Sequence, residues 1–198
     1  MRMPLAERRA ALVDATLAVV ERDGLSGASA RTIVTQAGMP LGALHYAFTS
    51  IEDLMAAAVD AVTEQERLAV EHLLAHDGTV EEALRAGLTA YVDLLAERPA
   101  RELAYLELML HASRVRLDGP PAAGRYAPSY AVVAGLLDGV AARAGATWAT
   151  PPDVLARHAV AMLDGITTTW LADHDTAAAH ATARFLASAL AAHAHLEG

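Results

Sequence analysis

The chain has 198 residues, enough for one large domain or two small ones with a real core. Just over half (54%) are apolar, Ala and Leu lead, and only two are Phe, which favours an all-α protein; no run of about 18 apolar residues offers a membrane span. A formal charge of −9 speaks at first against nucleic acid, and the absence of cysteine excludes disulfides and thiolate chemistry and fits a reducing cytoplasm, the expected location.

The charge is uneven. Residues 1–50 hold five arginines against four carboxylates, whereas the rest of the chain holds ten against twenty. A slightly basic end on an acidic body orients a molecule near a phosphate backbone. All fifteen basic residues are Arg, a bias read as genomic before functional.

In chain order, the first periodic segment runs over about 5–23, with Leu12, Ala15, Thr16, Val19 and Val20 near one face. Asp14 and Glu21 interrupt its apolar run, so it reads as a soluble amphipathic helix rather than a signal peptide. Gly24 can take the left-handed conformation that ends a helix. Ser29 then offers an N-cap for a short helix over about 30–37, which Gly38 and Pro40 stop. A second short helix spans about 41–47. Ser50 with Asp53 forms a capping box opening a long helix over about 51–75. Two seven-residue helices cannot stand alone in water, so Ile33, Val34, Leu44 and Phe48 must pack on the first helix. The product is a helix-turn-helix unit.

Beyond it, Thr79 with Glu82 predicts a helix to about 98, and Pro99 starts another to about 116. The Gly/Pro-rich stretch 117–129 reads as a loop. Helices then fit 130–144, 152–172 and 176–196. The expected architecture is all-α, with about nine helices. Residues 1–50 form a three-helix helix-turn-helix unit, and residues 51–198 a larger helical bundle.

The stretch "SARTIVTQAGMPLGALHYAFTSIEDL", residues 29–54, resembles the TetR/AcrR family of bacterial regulators. The carrying residues are the Ala37–Gly38 turn, the Gly42-x-Leu44 step, Tyr46, Phe48, and Ser50 leading into an acidic helix start. The resemblance covers about a quarter of the chain; the remainder agrees in length and helix count. It implies a homodimer whose two recognition helices enter successive major grooves of a palindromic operator. A C-terminal pocket for a small molecule, and a four-helix dimer bundle from the last two long helices, also come with it.

On this resemblance Arg31 reaches DNA, bidentate to a guanine or clamped on a phosphate. Thr32 donates to a phosphate. Leu41, Gly42 and Ala43 form the groove-facing start of the third helix, with a thymine methyl as the apolar partner and Gly42 permitting close backbone approach. His45 and Tyr46 set register against phosphates, the competing reading being that one of them packs inside. Two departures stand out: Ile51 where the family usually has Lys, and Ala47 where it usually has His. Ile51 removes a phosphate charge, although backbone N–H groups there can hold an anion.

In the larger part, Tyr105, Met109, His111, Arg114, Tyr126 and Trp170 are candidates for a ligand pocket, against ordinary bundle core and surface. Glu107, His111 and Arg114 share one helix face, suited to a ligand carboxylate or hydroxyl, or to an intrahelical charge network. His72 with His76, and His193-x-His195, have metal-like spacings, but without Cys or a converging carboxylate pair no metal or other cofactor is expected. Neither HExxH, nor repeated ExxH, nor GxSxG, nor a glycine-rich phosphate loop occurs, which speaks against an enzyme. The dimer seam is expected from Leu155, Met162, Leu163, Ile166 and Trp170 on the penultimate helix and Phe185, Leu186, Ala189 and Leu190 on the last, intrachain packing being the alternative.

The resulting expectation is a ligand-responsive transcriptional repressor, with operator DNA, a small-molecule effector and a second copy of itself as partners, and no membrane. The alternatives are a helical-bundle enzyme or carrier with an incidental helix-turn-helix, and a regulator controlled by a protein partner.

Overall fold

The computed structural model describes residues 3–73, 78–117 and 126–196, with the side chains of 65–73 and 115–117 outside the description. Its helices are α1 (Leu5–Asp23), α2 (Ala30–Gln36), α3 (Gly42–Ala47), α4 (Ile51–Leu73), α5 (Val80–Glu97), α6 (Pro99–Leu117), α7 (Ala127–Ala144), α8 (Pro152–Asp173) and α9 (Thr176–Ala191). Two three-residue strands accompany them, β1 (Ala146–Trp148) and β2 (Ala194–Leu196). The fold is all-α, with N-terminal helix-turn-helix elements and a larger C-terminal set of helices. Most of the stretch 117–129, together with His76 and the His72 side chain, lies outside the described residues.

Two compact units emerge, Met1–Glu64 with Ala100–Arg125 and Gln65–Pro99 with Tyr126–Gly198. In the first, α1 packs on α2 and α3. Leu12, Val19, Ile33 and Leu44 are at most 1% exposed, and Phe48 and Leu54 close the same apolar interior. Each such side chain contributes about 1.5–3 kcal/mol on burial, which lets helices of seven and six residues persist.

Local chemistry sets the ends of these helices. Ser29 and Thr32 form a reciprocal capping box at the start of α2. At its other end the Gly38 N–H donates to the Thr35 carbonyl and the Met39 N–H to the Val34 carbonyl (2.8 Å), the paired bonds of a Schellman motif. Gly38 closes that motif at φ +65°, where a side chain would be strained. At α4 the Ser50 hydroxyl accepts from the Asp53 N–H, but the Asp53 carboxylate accepts from the Thr49 N–H and hydroxyl rather than closing a box on Ser50.

In the second unit α5 packs on α9, α7 on α8, and α8 on α9. One cluster joins Leu84, Leu137, Leu155, Leu186 and Leu190; a second joins Val92, Leu95, Ile166, Trp170 and Ala183. The Thr79–Glu82 capping box opens α5 as expected. The Tyr91 and Thr167 hydroxyls are bonded between α5 and α8.

The last helix stops at Ala191, short of the predicted 196. Residues 194–196 pair antiparallel with β1 instead, Ala146 opposite Leu196 and Trp148 opposite Ala194. The Ala149 N–H donates to the His193 carbonyl (2.8 Å), and the Trp148 indole N–H to the Leu137 carbonyl (3.2 Å). Cross-strand bonds thus satisfy backbone groups that a continuing helix would have satisfied internally.

Candidate nucleic-acid interface

α2 and α3 each bury one side and present the other. On α3, Leu44 (1% exposed) and Phe48 (2%) pin the helix inward, whereas Leu41 (50%) and Tyr46 (58%) project outward with Gly42 and His45. Ala43 is 7% exposed and faces the unit's interior, so of the apolar pair expected to meet a thymine methyl, Leu41 is the accessible one. A Cβ built on Gly42 meets nothing within 4 Å. The fold itself therefore does not require glycine at that place.

On α2 the exposed residues are Arg31, Thr32, Thr35 and Gln36. With Arg22 and Ser29 they line an open hollow of about 460 Å³. Among the described residues nothing pairs with the Arg31 guanidinium, which leaves its five donors available to an anion. Thr32 is differently placed. Its hydroxyl accepts from the Ser29 N–H (2.8 Å) and lies 2.7 Å from the Gly27 carbonyl, to which it donates. Its single proton serves the cap, and a phosphate would have to displace that bond.

Arg22, Thr35 and Gln36 were missed from the sequence, although Thr35 and Gln36 follow Arg31 and Thr32 at the i+4 helical spacing. Arg22 donates to the Gln36 side-chain oxygen (3.0 Å) and pairs with Asp23 at 2.7 Å. The hydrogen bond from Arg22 holds the Asp23 carboxyl below the usual carboxylate range. Arg8 lies over the Tyr46 ring, 5.0 Å from its centroid, which steadies the ring at the surface.

The start of α4 carries its own anions. The Glu52 carboxyl is held low by its own backbone N–H, then by the Ser50 hydroxyl, with a smaller contribution from His111. A phosphate approaching this helix start would compete with that carboxylate. Ile51 beside it is half-buried, and Ala47 is 6% exposed.

The pocket candidates divide between the units. Tyr105, Met109, His111 and Arg114 lie on α6; Met109 is 2% exposed, Tyr105 and His111 are half-buried, and Arg114 is exposed. The Glu107 carboxylate accepts the Leu25 N–H at 2.7 Å, so the face shared by Glu107 and His111 is turned at least partly toward the reading helices. Tyr126, in the second unit, donates from its hydroxyl to Asp164 (2.6 Å) and stacks on Tyr130. Burial raises the Asp164 carboxyl, and that hydrogen bond partly offsets the rise. Trp170 is a core residue, its indole N–H donating to Thr176 (3.0 Å) and its ring edge-on to His174.

The expected dimer stripe needs correction. Leu155 (1%), Ile166 (2%), Leu186 (2%), Leu190 (4%) and Trp170 (6%) are buried within the subunit and leave no surface for a partner. Met162 and Leu163 are half-buried, while Phe185 (67%) and Ala189 are exposed. The outer face of α8 carries Val154, His158, Ala161, Gly165 and Thr168, and a Cβ on Gly165 meets only open space. Periodicity locates a stripe, but here the most apolar stripe serves the subunit's own core.

No group of three or more His, Asp or Glu suited to a metal occurs among the described residues. Among them, too, no helix is long and apolar enough to cross a membrane.

Comparison with known proteins agrees with this geometry. Residues 12–58 match the pattern of "Bacterial regulatory proteins, tetR family". Over 177 residues the chain is 31% identical to the HTH-type nicotine-responsive transcriptional repressor HdnoR of Paenarthrobacter nicotinovorans, covering 87% of this chain and 88% of that protein. The multidrug binding protein EbrR, solved in complex with imidazole, is 28% identical with a TM-score of 0.65, covering 91% of this chain and 89% of its own. A TetR-family transcriptional regulator from Rhodococcus sp. shares the fold at a TM-score of 0.73 and 20% identity, covering 93% of this chain and 98% of that one. A helix-turn-helix with an exposed reading face, and a relative matched along nearly its whole length, lead to one conclusion: the chain belongs to the TetR family of bacterial transcriptional regulators.

Proposed function

We propose that the protein is a homodimeric repressor that binds a two-fold operator and is released by a small-molecule effector. Residues 1–50 read DNA, and residues 51–198 supply the effector site and the dimer contact. The observation that carries this reading is the exposed Arg31, Leu41, Gly42 and Tyr46 surface on helices pinned from behind by Ile33, Leu44 and Phe48. Arg31 supplies base or phosphate contacts, Leu41 an apolar contact, and His45 and Tyr46 set register on the backbone. Half-site centres then lie about 34 Å apart, or a multiple of that.

The effector is an organic cation. Glu102 on α6 is 3% exposed, the only buried ionisable side chain among the described residues, and burial outweighs the pull of the neighbouring Arg101 on its carboxylate. A buried carboxylate that its neighbours meet only in part is costly, and a bound cation would offset that cost. The 31%-identical relative is nicotine-responsive, and nicotine is a basic amine.

Fluorescence anisotropy with the DNA upstream of the protein's own gene tests the reading. Wild type should bind, and Arg31→Ala should lose about 1–3 kcal/mol of affinity. Equal binding by the variant would remove Arg31 from the readout, and no binding by wild type would remove that operator. Nicotine is the first effector to titrate into the complex, with Glu102→Gln as the insensitive control.

A further inference from the structure

Between α1 and α2 the chain turns sharply. Gly24 ends α1 at φ +71°, a 3-10 turn covers Leu25–Gly27, and Ser29 caps α2. The N–H groups of Gly24, Gly27 and Ala28 bond within this segment or to the end of α1, and that of Ser29 is shared between the Gly27 carbonyl and the Thr32 hydroxyl next to it. That of Leu25 leaves it, for the Glu107 carboxylate of α6 at 2.7 Å, 82 residues further along the chain. A bond from a backbone N–H to a carboxylate is about twice as strong as one between neutral groups. Both Glu107 oxygens also lie within 3.6–3.7 Å of the place a Cβ on Gly24 would occupy, so the carboxylate sits directly on the end of α1.

α6 is itself firmly held, since Ala104, Leu108 and Met109 are only 1–2% exposed. The reading helices and residues 100–125 of α6 and beyond belong to one compact unit, although residues 1–50 contain none of α6. A short hydrogen bond tolerates little stretching, so an ångström-scale shift of α6 must either drag the Leu25 turn or break its bond.

We propose that Glu107 is a positioning residue for DNA binding: it clamps the α1–α2 turn and thereby ties the attitude of α2 and α3 to the position of α6. This rests on the DNA-binding reading above, but the clamp itself is observable without DNA. The acceptor oxygen and its reach decide whether the clamp forms, and the negative charge adds to its strength. Glu107→Ala removes the oxygen and Glu107→Asp withdraws it by one methylene, whereas Glu107→Gln keeps it in place.

The test measures amide hydrogen exchange over residues 24–29 of the full-length, DNA-free protein, together with affinity for its own upstream DNA and the thermal midpoint. Ala and Asp should speed exchange at Leu25 and weaken DNA binding about fivefold or more. Gln, which keeps the oxygen in reach but makes a weaker neutral bond, should lie closer to wild type than Ala or Asp in both, and the midpoints should change little. A charge role would give the reverse order, with Asp active and Gln impaired, and would overturn the proposal. Unchanged exchange at Leu25 in the Asp variant, or faster exchange with unaltered DNA affinity, would overturn it as well. Should the Ala variant fail to fold, the Asp and Gln pair decides. If wild type binds no DNA at all, the exchange data still judge the clamp while the DNA-binding reading falls separately.

Discussion

Arg9 on α1 closes the far end of α3: its guanidinium lies 4.0 Å from the centroid of the Phe48 ring and donates to the Ala47 carbonyl. A cation at a helix C-terminus meets the negative end of the helix dipole and satisfies a carbonyl that α3 leaves without an intrahelical partner. So short a helix depends on such contacts. Arg9→Ala should destabilise the protein by about 1–2 kcal/mol, read as a lower urea midpoint, with Arg9→Lys intermediate because an ammonium lacks the planar fork. An unchanged midpoint for Arg9→Ala would show that Leu44 and Phe48 hold α3 without it.

Gly38 and Gly42 predict opposite behaviour although only four residues apart. Gly38 sits at φ +65°, so Gly38→Ala should cost about 1–2 kcal/mol in stability. Gly42 has no positive φ and open space where a Cβ would go. Gly42→Ala should therefore melt at or slightly above the wild-type temperature, by up to about 1 kcal/mol, yet bind operator DNA less well because a methyl group intrudes on the close approach. If Gly42→Ala binds DNA as wild type does, α3 does not sit deep in the groove at this point.

What the sequence displayed and what it hid divide along physical lines. The capping of α2 by Ser29, the turn at Gly38 and the Thr79–Glu82 box rest on residues within four of one another, so their patterns are visible in the string. The roles of Arg9 and Glu107 rest on partners 38 and 82 residues away, and no local rule connects them. The end of α9 was overestimated because Ala and His continue a helical pattern, while β1, which draws residues 194–196 away, is remote in sequence. The buried half of the dimer stripe was misassigned for another reason. A helix face rich in Leu announces burial, but periodicity does not say whether the burying surface belongs to the same chain.

Ile51 and Glu52 set the electrostatics where α4 begins. Ile51→Lys should strengthen operator binding and steepen its salt dependence by about 0.9 in the slope of log K against log salt, the signature of one further phosphate contact. Glu52→Gln should also strengthen binding, because its carboxylate already occupies backbone N–H and Ser50 donors that an incoming phosphate needs. Unaltered slopes in both variants would place this helix start away from the phosphate backbone.

Phe185 is 67% exposed on α9, with the exposed Ala189 one turn along, and the proposed dimer contact would be anchored there. Phe185→Glu should give a folded monomer by sedimentation, with weakened operator binding because the two half-sites are no longer engaged together. Leu186→Glu, one residue along, should instead unfold the chain, since Leu186 is 2% exposed within the subunit core. A dimer that survived Phe185→Glu intact would move the subunit contact to another face.

Glu102 links stability to pH with a definite sign. Burial raises its carboxyl above the usual range, and Arg101 pulls weakly the other way. An acid that holds its proton more tightly when folded favours the folded state at low pH. That contribution is complete below its unfolded value, near 4.5, and is lost as pH rises from there through the folded value. Glu102→Gln mimics the protonated form, so wild type and variant should melt together at about pH 4 and separate above it, with the variant the more stable at about pH 8. On the proposed reading, an organic cation bound beside Glu102 would reverse this balance by favouring the ionised carboxylate. Nicotine should therefore raise the wild-type melting temperature at about pH 8 and leave that of Glu102→Gln almost unmoved. Two parallel melting curves from pH 4 to pH 8, on the order of a degree apart throughout, would show that Glu102 carries no such charge and would remove it from the effector site.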